Sequence, residues 1–214
     1  MNFNDEKARS WIIRDCISKW EIEPEEPLFD KCLVTVKETN LKNVTELTPT
    51  IRRFLYGWGK MGRVLGRTKY VNWEKRLEEK ISLNSEKLEK LRNTNLLGEV
   101  VENYENDIKE MYEAFSSVVG PIAAAKTLHL ICPGFFPLWD NPIAIAFRNE
   151  RKTICKGADF SPEDYYGFMK DIKNLAEKYD SDISDLASKD KTGKLRVIDK
   201  LAWWLTHRPL SLLL

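Results

Sequence analysis

Histidine is almost missing from this chain of 214 residues, which has only His129 and His207. Its four cysteines, Cys16, Cys32, Cys132 and Cys155, stand far apart, none at the short spacing that metal ligands take. These two scarcities argue against a zinc site or a cysteine-held iron–sulfur cluster, so no metal and no cofactor is expected. The cysteines read as reduced, partly buried thiols. No run of about 18 apolar residues exists, so no membrane-spanning helix is expected. The opening residues, MNFNDEKARS, are charged and lack an apolar core. No signal peptide is therefore expected, and the cytoplasm is the compartment assigned. Net charge is missing too: 34 Lys and Arg against 33 Asp and Glu give +1. Whole-molecule electrostatics therefore does not draw the chain to nucleic acid, and any such affinity needs a local patch. Strand-like alternation is nearly absent, and there is no internal repeat or low-complexity tract.

What is present is helical and aromatic. Seven Trp, nine Phe and seven Tyr supply the bulk that a packed core needs and a disordered chain lacks. Trp11, Ile12, Asp15, Cys16 and Lys19 give a first amphipathic helix; Leu28, Phe29, Cys32, Leu33 and Val36 give a second. Thr48 and Pro49 read as the cap and first-turn proline of the next. Asn84-Ser85 divides a Glu/Lys-rich run over 74–92, a solvated face with i,i+4 ion pairs. Val100, Val101, Tyr104, Ile108, Met111, Tyr112 and Phe115 form one long helix. Ser161-Pro162-Glu163-Asp164 opens another with a capping box. The last carries Leu195, Ile198, Leu201, Ala202, Trp203 and Leu205, with an SLLL tail behind it. The expected fold is all-α, about nine or ten helices in a single unit over 1–214, as one compact body or as two lobes flanking a cleft.

Two stretches carry the functional argument. The first, IRRFLYGWGKMGRVLGRTKY (51–70), holds Arg52, Arg53, Lys60, Arg63, Arg67 and Lys69, and no acid occurs between Glu46 and Glu74. Glycines at 57, 59, 62 and 66 let backbone approach something closely. Six like charges interleaved with four glycines suit phosphate binding. GWGKMG matches G-x-G-x-x-G formally, but no strand precedes it and no βαβ pattern follows, so a dinucleotide site is rejected.

The second stretch, GPIAAAKTLHLICPGFFPLWDNPIAIAFR (120–148), joins a small-residue helix (121–132) to a Pro/Gly/aromatic turn (133–140) and a further helix starting at Pro142. Ala123, Ala124 and Ala125 allow close approach of a neighbour. Gly120 permits positive φ, and the amides beyond it can meet an anion. Asn141 is a natural N-cap, with Asp140 adding negative charge at the positive end of that helix. Asp140 is the only acid between Glu113 and Glu150.

This arrangement resembles the helix-hairpin-helix DNA glycosylase superfamily, the endonuclease III-like base-excision enzymes. Their hairpin reads roughly L-P-G-V-G-x-x-x-A, with an Asp about twenty residues after the last Gly. Gly120 matches that glycine, Ala124 the alanine and Asp140 the aspartate; the following helix ends in Ala-Phe-Arg. The run is similar as well to uncharacterised prokaryotic proteins carrying K-x-L-H-F…F-P-I-W-D. Val118 stands at the hairpin's first glycine, without a preceding proline. Ile122 stands where bifunctional members have their lyase lysine, Lys126 follows one turn later, and the family's cysteine-ligated cluster is missing.

The resemblance implies a DNA-binding protein that extrudes a damaged or modified base from duplex DNA and hydrolyses its N-glycosidic bond. Asp140 would stabilise the oxocarbenium-like sugar, with Lys126 and His129 as subsidiary catalytic candidates. Without a lysine at 122, hydrolysis to an abasic site is expected rather than Schiff-base strand cleavage. Trp139, Phe135, Phe136, Tyr56, Trp58 and Asn141 are the candidate base pocket. Arg52, Arg53, Lys60, Arg63, Arg67, Lys69, Gly120 and Arg148 are the candidate DNA contacts. The oligomeric state is open. Plainer roles stay open beside these: Asp140 as a helix cap, Lys126 as a surface or ion-pair lysine, His129 as a satisfied core histidine. Two other classes do so too, a non-catalytic nucleic-acid-binding helical module and a nucleotide or small-molecule binder using the glycine-rich basic loop.

Overall fold

The computed structural model describes residues 27–144 and 160–207. The expected helix around Trp11–Lys19, the basic residues from Arg148 to Lys156 and the SLLL tail lie outside them. Every regular element among the described residues is helical, as the periodicity requires. In chain order these are α1 (Pro27–Glu38), α2 (Val44–Gly57), the single turn α3 (Gly62–Leu65), α4 (Trp73–Leu83), α5 (Ser85–Arg92), α6 (Glu105–Val119), α7 (Pro121–Ile131), α8 (Pro162–Lys178), α9 (Asp180–Asp190) and α10 (Lys194–His207). Three short 3-10 turns lie between them, at Thr68–Tyr70, Leu96–Gly98 and Val101–Tyr104. No helix among the described residues is long and apolar enough to cross a membrane.

The core forms around α7. Ala123, Ala124, Ala125, Leu128, Leu130 and Ile131 are fully or almost fully buried, so the helix is apolar nearly all round, as an enclosed helix must be. Its three alanines let α6, α1 and α2 pack close against it. Thr127, the buried polar residue in its middle, donates its hydroxyl to the Ala123 carbonyl at 2.7 Å and so needs no outside partner. The partner helix α6 buries Ile108, Met111, Tyr112, Phe115, Val118 and Val119, an i, i+3, i+4, i+7 face. Burying a side chain of this size contributes about 1.5–3 kcal/mol. Gly120 alone connects α6 to α7, and Pro121 occupies the first position of α7, where a missing N–H costs nothing.

Several local expectations hold and some move. Asn84 separates α4 from α5, and the capping box at the start of α8 is complete: Asp164 N–H donates to Ser161 Oγ at 3.1 Å while Ser161 N–H donates to Asp164 Oδ2. Thr48 does not cap α2. The helix begins at Val44 and takes in Pro49, while Thr48 donates its hydroxyl back to the Val44 carbonyl. Leu47 and Ile51 are buried at helical spacing there, and this packing carries the helix ahead of the proline. Residues 101–104 wind as a 3-10 turn ahead of α6, leaving Val100 exposed. The Glu/Lys run over 74–92 is held across helices, where Lys87 pairs with Asp107 at 2.9 Å and Glu110 at 2.7 Å, both on α6, and along the run Arg92 stands 3.6 Å from Glu89, at i,i+3 and not the expected i,i+4.

Candidate functional site

The turn over residues 133–140 is tied to the core almost residue by residue. His129 Nδ1–H donates to the Phe136 carbonyl at 2.8 Å, and the Tyr165 hydroxyl to the Pro137 carbonyl at 2.8 Å. The Leu138 amide donates to Asp199 Oδ1 at 2.9 Å. Asp199 Oδ2 stands 3.6 Å from His129 Nδ1, and both side chains are about 1% exposed. A buried carboxylate is tolerable only with such partners. The turn then delivers Asp140, half-buried, to the surface, where its Oδ1 accepts the Ile143 amide at 3.0 Å.

This geometry revises several assignments. Asp140, not Asn141, caps the helix; Asn141 is already its first residue and is exposed. Phe135, Phe136 and Trp139 are 0%, 0% and 1% exposed, because they anchor the turn. Phe135 and Phe136 meet edge to face at 5.1 Å, and Trp139 meets Phe168 likewise at 4.8 Å. None of the three opens to a pocket wall. His129, 1% exposed, holds the turn and has no route to a substrate. The glycines of segment 57–70 also acquire a structural reason. A Cβ on Gly59 would stand 2.8 Å from the Leu55 carbonyl oxygen, so what the backbone approaches there is the end of its own helix.

That segment nevertheless lies across α7 at two points. At the N-terminus of α7, the Tyr70 hydroxyl would be 2.5 Å from a Cβ on Gly120, whose φ is 81°. Lys69 Nζ stands 4.8 Å above the Tyr70 ring. Nearby, Arg76 donates to the Ser117 carbonyl in the last turn of α6 at 2.8 Å. Two turns along α7, Lys126 donates to the Gly59 carbonyl at 2.9 Å and sits 5.6 Å from the centre of the Trp58 ring. Burial pulls the Lys126 ammonium below its ordinary range, and the negative charge of Asp140 works against that pull. Lys126 is thus neither a surface lysine nor an ion-pair lysine of the usual kind.

Around Trp58 the fold gathers side chains from four helices. Phe54 of α2 stacks on the indole at 4.9 Å, and Phe29 of α1 tilts against it at 5.1 Å. Lys126 approaches from α7 and the Arg196 guanidinium from the first turn of α10, 5.6 Å from the ring centre. Trp58, Lys126 and Arg196 are all half-buried. Arg52, Arg53, Lys60, Arg63, Arg67 and Lys69 are exposed. Of these, Arg52 pairs with Glu74 at 3.4 Å and lies over Tyr56, which stacks on Trp73. Tyr56 is therefore outer surface beside the basic segment and not part of the Trp58 cluster.

A cleft of about 740 Å³ lies elsewhere, between residues 37–42 and 85–93. It is lined by neither Asp140 nor Lys126, and its wall mixes Lys37, Lys42 and Lys90 with Glu38, Glu86 and Glu89. It offers no convergent chemistry. Arg196, Asp199, Tyr70 and Tyr165 are the site residues that sequence reasoning missed. For Asp199 there was a signal, an acid among Val197, Ile198 and Leu201 on the buried face of α10. Nothing local marked the other three. Compared with known proteins, the chain matches no family model, no curated protein and no solved structure.

Proposed function

We propose that this chain is a DNA-binding, glycosylase-like protein that excises a damaged or modified base by monofunctional hydrolysis of the N-glycosidic bond. The observation that carries the reading is the course of segment 57–70. It carries Tyr70 onto Gly120 at the α6–α7 hairpin, with the exposed Lys69 over the Tyr70 ring, and puts Trp58 and Gly59 against Lys126, which feels the negative charge of Asp140.

Each part then has a task. Arg53, Lys60, Arg63, Arg67 and Lys69 hold backbone phosphates, a sequence-independent and salt-sensitive interaction. The extruded base enters beside Trp58. As the C1′–N bond breaks, its electron pair leaves with the base and positive charge builds on the sugar. The Asp140 carboxylate stabilises that charge and takes the proton of the water that adds to C1′. Asp140 is suited to this because its cap bond and the pinned turn fix it in place before any substrate arrives.

The test is excision from duplexes carrying one altered base each, scored as alkali-labile sites. Asp140→Asn retains the cap and removes the charge, and is expected to lower the single-turnover rate by roughly a hundredfold or more. A second reading, a non-catalytic nucleic-acid-binding module, has its own support in the Asp140–Ile143 bond, which explains the carboxylate as a cap. Salt-sensitive duplex binding with no abasic product, and no effect of Asp140→Asn, would establish that module instead.

A further inference from the structure

Val71, at the end of the basic segment, is 62% exposed although aromatic residues on both sides of it are buried. Tyr70 before it rests on Gly120, and Trp73, two residues on, opens α4. The dihedrals of Val71 (φ −54°, ψ 135°) and Asn72 (φ 57°, ψ 25°) are close to those of a type II turn. The Val71 amide donates to the Thr68 carbonyl at 3.2 Å. The valine is thus held at the tip of a fixed turn. Turn chemistry does not explain it: proline is the residue favoured at that position, and tips are ordinarily Gly, Pro, Asn, Asp or Ser. Val71 also lies in the acid-free run 47–73, close behind the exposed Arg67 and Lys69. The other large apolar side chain exposed in that run is Tyr56, which has Arg52 over its ring and stacks on Trp73.

We propose that Val71 enters the base stack of the duplex at the point where the target nucleotide leaves it, and that it keeps the stack from closing behind that nucleotide. The proposal rests on the glycosylase reading. Arg67 and Lys69 on phosphates bring this turn against the duplex, and Tyr70 on Gly120 fixes its place beside the α6–α7 hairpin. Extruding a base forfeits its pairing and stacking. An apolar side chain in the gap offsets part of that loss, because it leaves water and meets the planes of the flanking bases. Valine suits the task physically. Its branched Cβ leaves few rotamers to lose on insertion, and the buried residues around the turn hold the backbone against the force of the stack. Val71 is therefore a positioning residue: it acts on the extrusion step and not on the bond that breaks.

The test uses the full chain and duplexes carrying a single uracil, hypoxanthine, 8-oxoguanine or 7-methylguanine. Each altered base has 2-aminopurine as its 5′ neighbour, whose fluorescence rises when stacking on that side is lost. Mixing is followed in stopped flow, and abasic sites are scored under single turnover. With at least one of these bases the unmodified protein is expected to raise the fluorescence about twofold or more before excision. Val71→Ala should give less than about half that rise and slow excision at least about tenfold, with duplex affinity within roughly threefold. Val71→Leu, which keeps apolar bulk, should restore most of both. With the altered base in an unpaired bubble there is no pair to break, and Val71→Ala should excise within about threefold of the unmodified rate. A merely structural valine would slow paired and bubble substrates alike. Thermal melting of both variants reports the fold. A fluorescence rise and a paired-duplex rate unmoved by Val71→Ala, or equal slowing on paired and bubble substrates, overturns the proposal and leaves the glycosylase reading standing. Neither a rise nor release of any base from these duplexes overturns both.

Discussion

The contact between Tyr70 and Gly120 joins the basic segment to the hairpin, and a double substitution measures it. Gly120 has φ 81° and ψ 163°, a region that essentially only glycine occupies. Alanine there costs about 1–3 kcal/mol from backbone strain alone. Its Cβ would also meet the Tyr70 hydroxyl at 2.5 Å, and this oxygen must retreat by roughly 0.5 Å. Tyr70 is only 8% exposed, so the ring cannot swing away without opening its own packing. Overpacking of this kind adds about 1–3 kcal/mol. In Tyr70→Phe the oxygen is gone and the nearest atom becomes the ring carbon at 3.3 Å, a tight contact that small shifts relieve. Gly120→Ala is therefore expected to cost about 3–5 kcal/mol in the unmodified chain and about 1–2 kcal/mol less in the Tyr70→Phe background, by urea denaturation at constant m-value. Equal costs in the two backgrounds, within about 0.3 kcal/mol, would mean that Tyr70 does not stand over the hairpin. The proposed DNA surface would then lose its geometric basis.

Other outcomes follow from individual contacts. Arg63→Ala and Arg67→Ala, both exposed, should each weaken binding to all duplex sequences alike and reduce the slope of log affinity against log salt by about 1, read by titration at several salt concentrations. Asp199→Ala strips partners from the Leu138 amide and from His129 in the core, so chemical denaturation should show a loss of about 3–5 kcal/mol. A milder Asp199→Asn should retain duplex binding yet lower excision, because the turn that carries Asp140 loosens. Lys126 makes stability depend on pH in the alkaline range. Its folded value lies below the ordinary 10.5, so between the two the unfolded chain binds more protons and stability rises with pH. Lys126→Met lacks that contribution, and its stability relative to the unmodified protein should be most favourable near neutrality and decline as pH approaches 10.5. A pH-independent difference would show that Lys126 is not buried as described.

Much of the site was legible as spacing. The separation of twenty positions from Gly120 to Asp140 placed a carboxylate at a helix start, and Asp140 does stand there, with its side chain as the cap. The absence of acids between Glu46 and Glu74 marked the basic surface, and its six cations are exposed. Aromatic residues were harder. Phe135, Phe136 and Trp139 sit in the same turn as Asp140, yet all three face inward, whereas Trp58, remote in sequence, is half-buried. Composition marks an aromatic as useful to a core or to a pocket, and only packing chooses between them.

The sequence by itself determined the all-α class, the apolar face of α6, the small-residue character of α7, the capping box of α8 and the local charge of segment 51–70. These depend on residues within a few positions of one another, where helical periodicity and side-chain chemistry act directly. Tertiary structure alone decided that Tyr70 rests on Gly120, that Gly59 accepts from Lys126, that Arg196 joins Lys126 at Trp58, and that Asp199 pins the turn before Asp140. The partners in these pairs lie 50, 67, 138 and 61 residues apart. Their meeting follows from how α1, α2 and α6 close around a buried α7 while α10 packs on α8 and α9, and no local pattern encodes that closure.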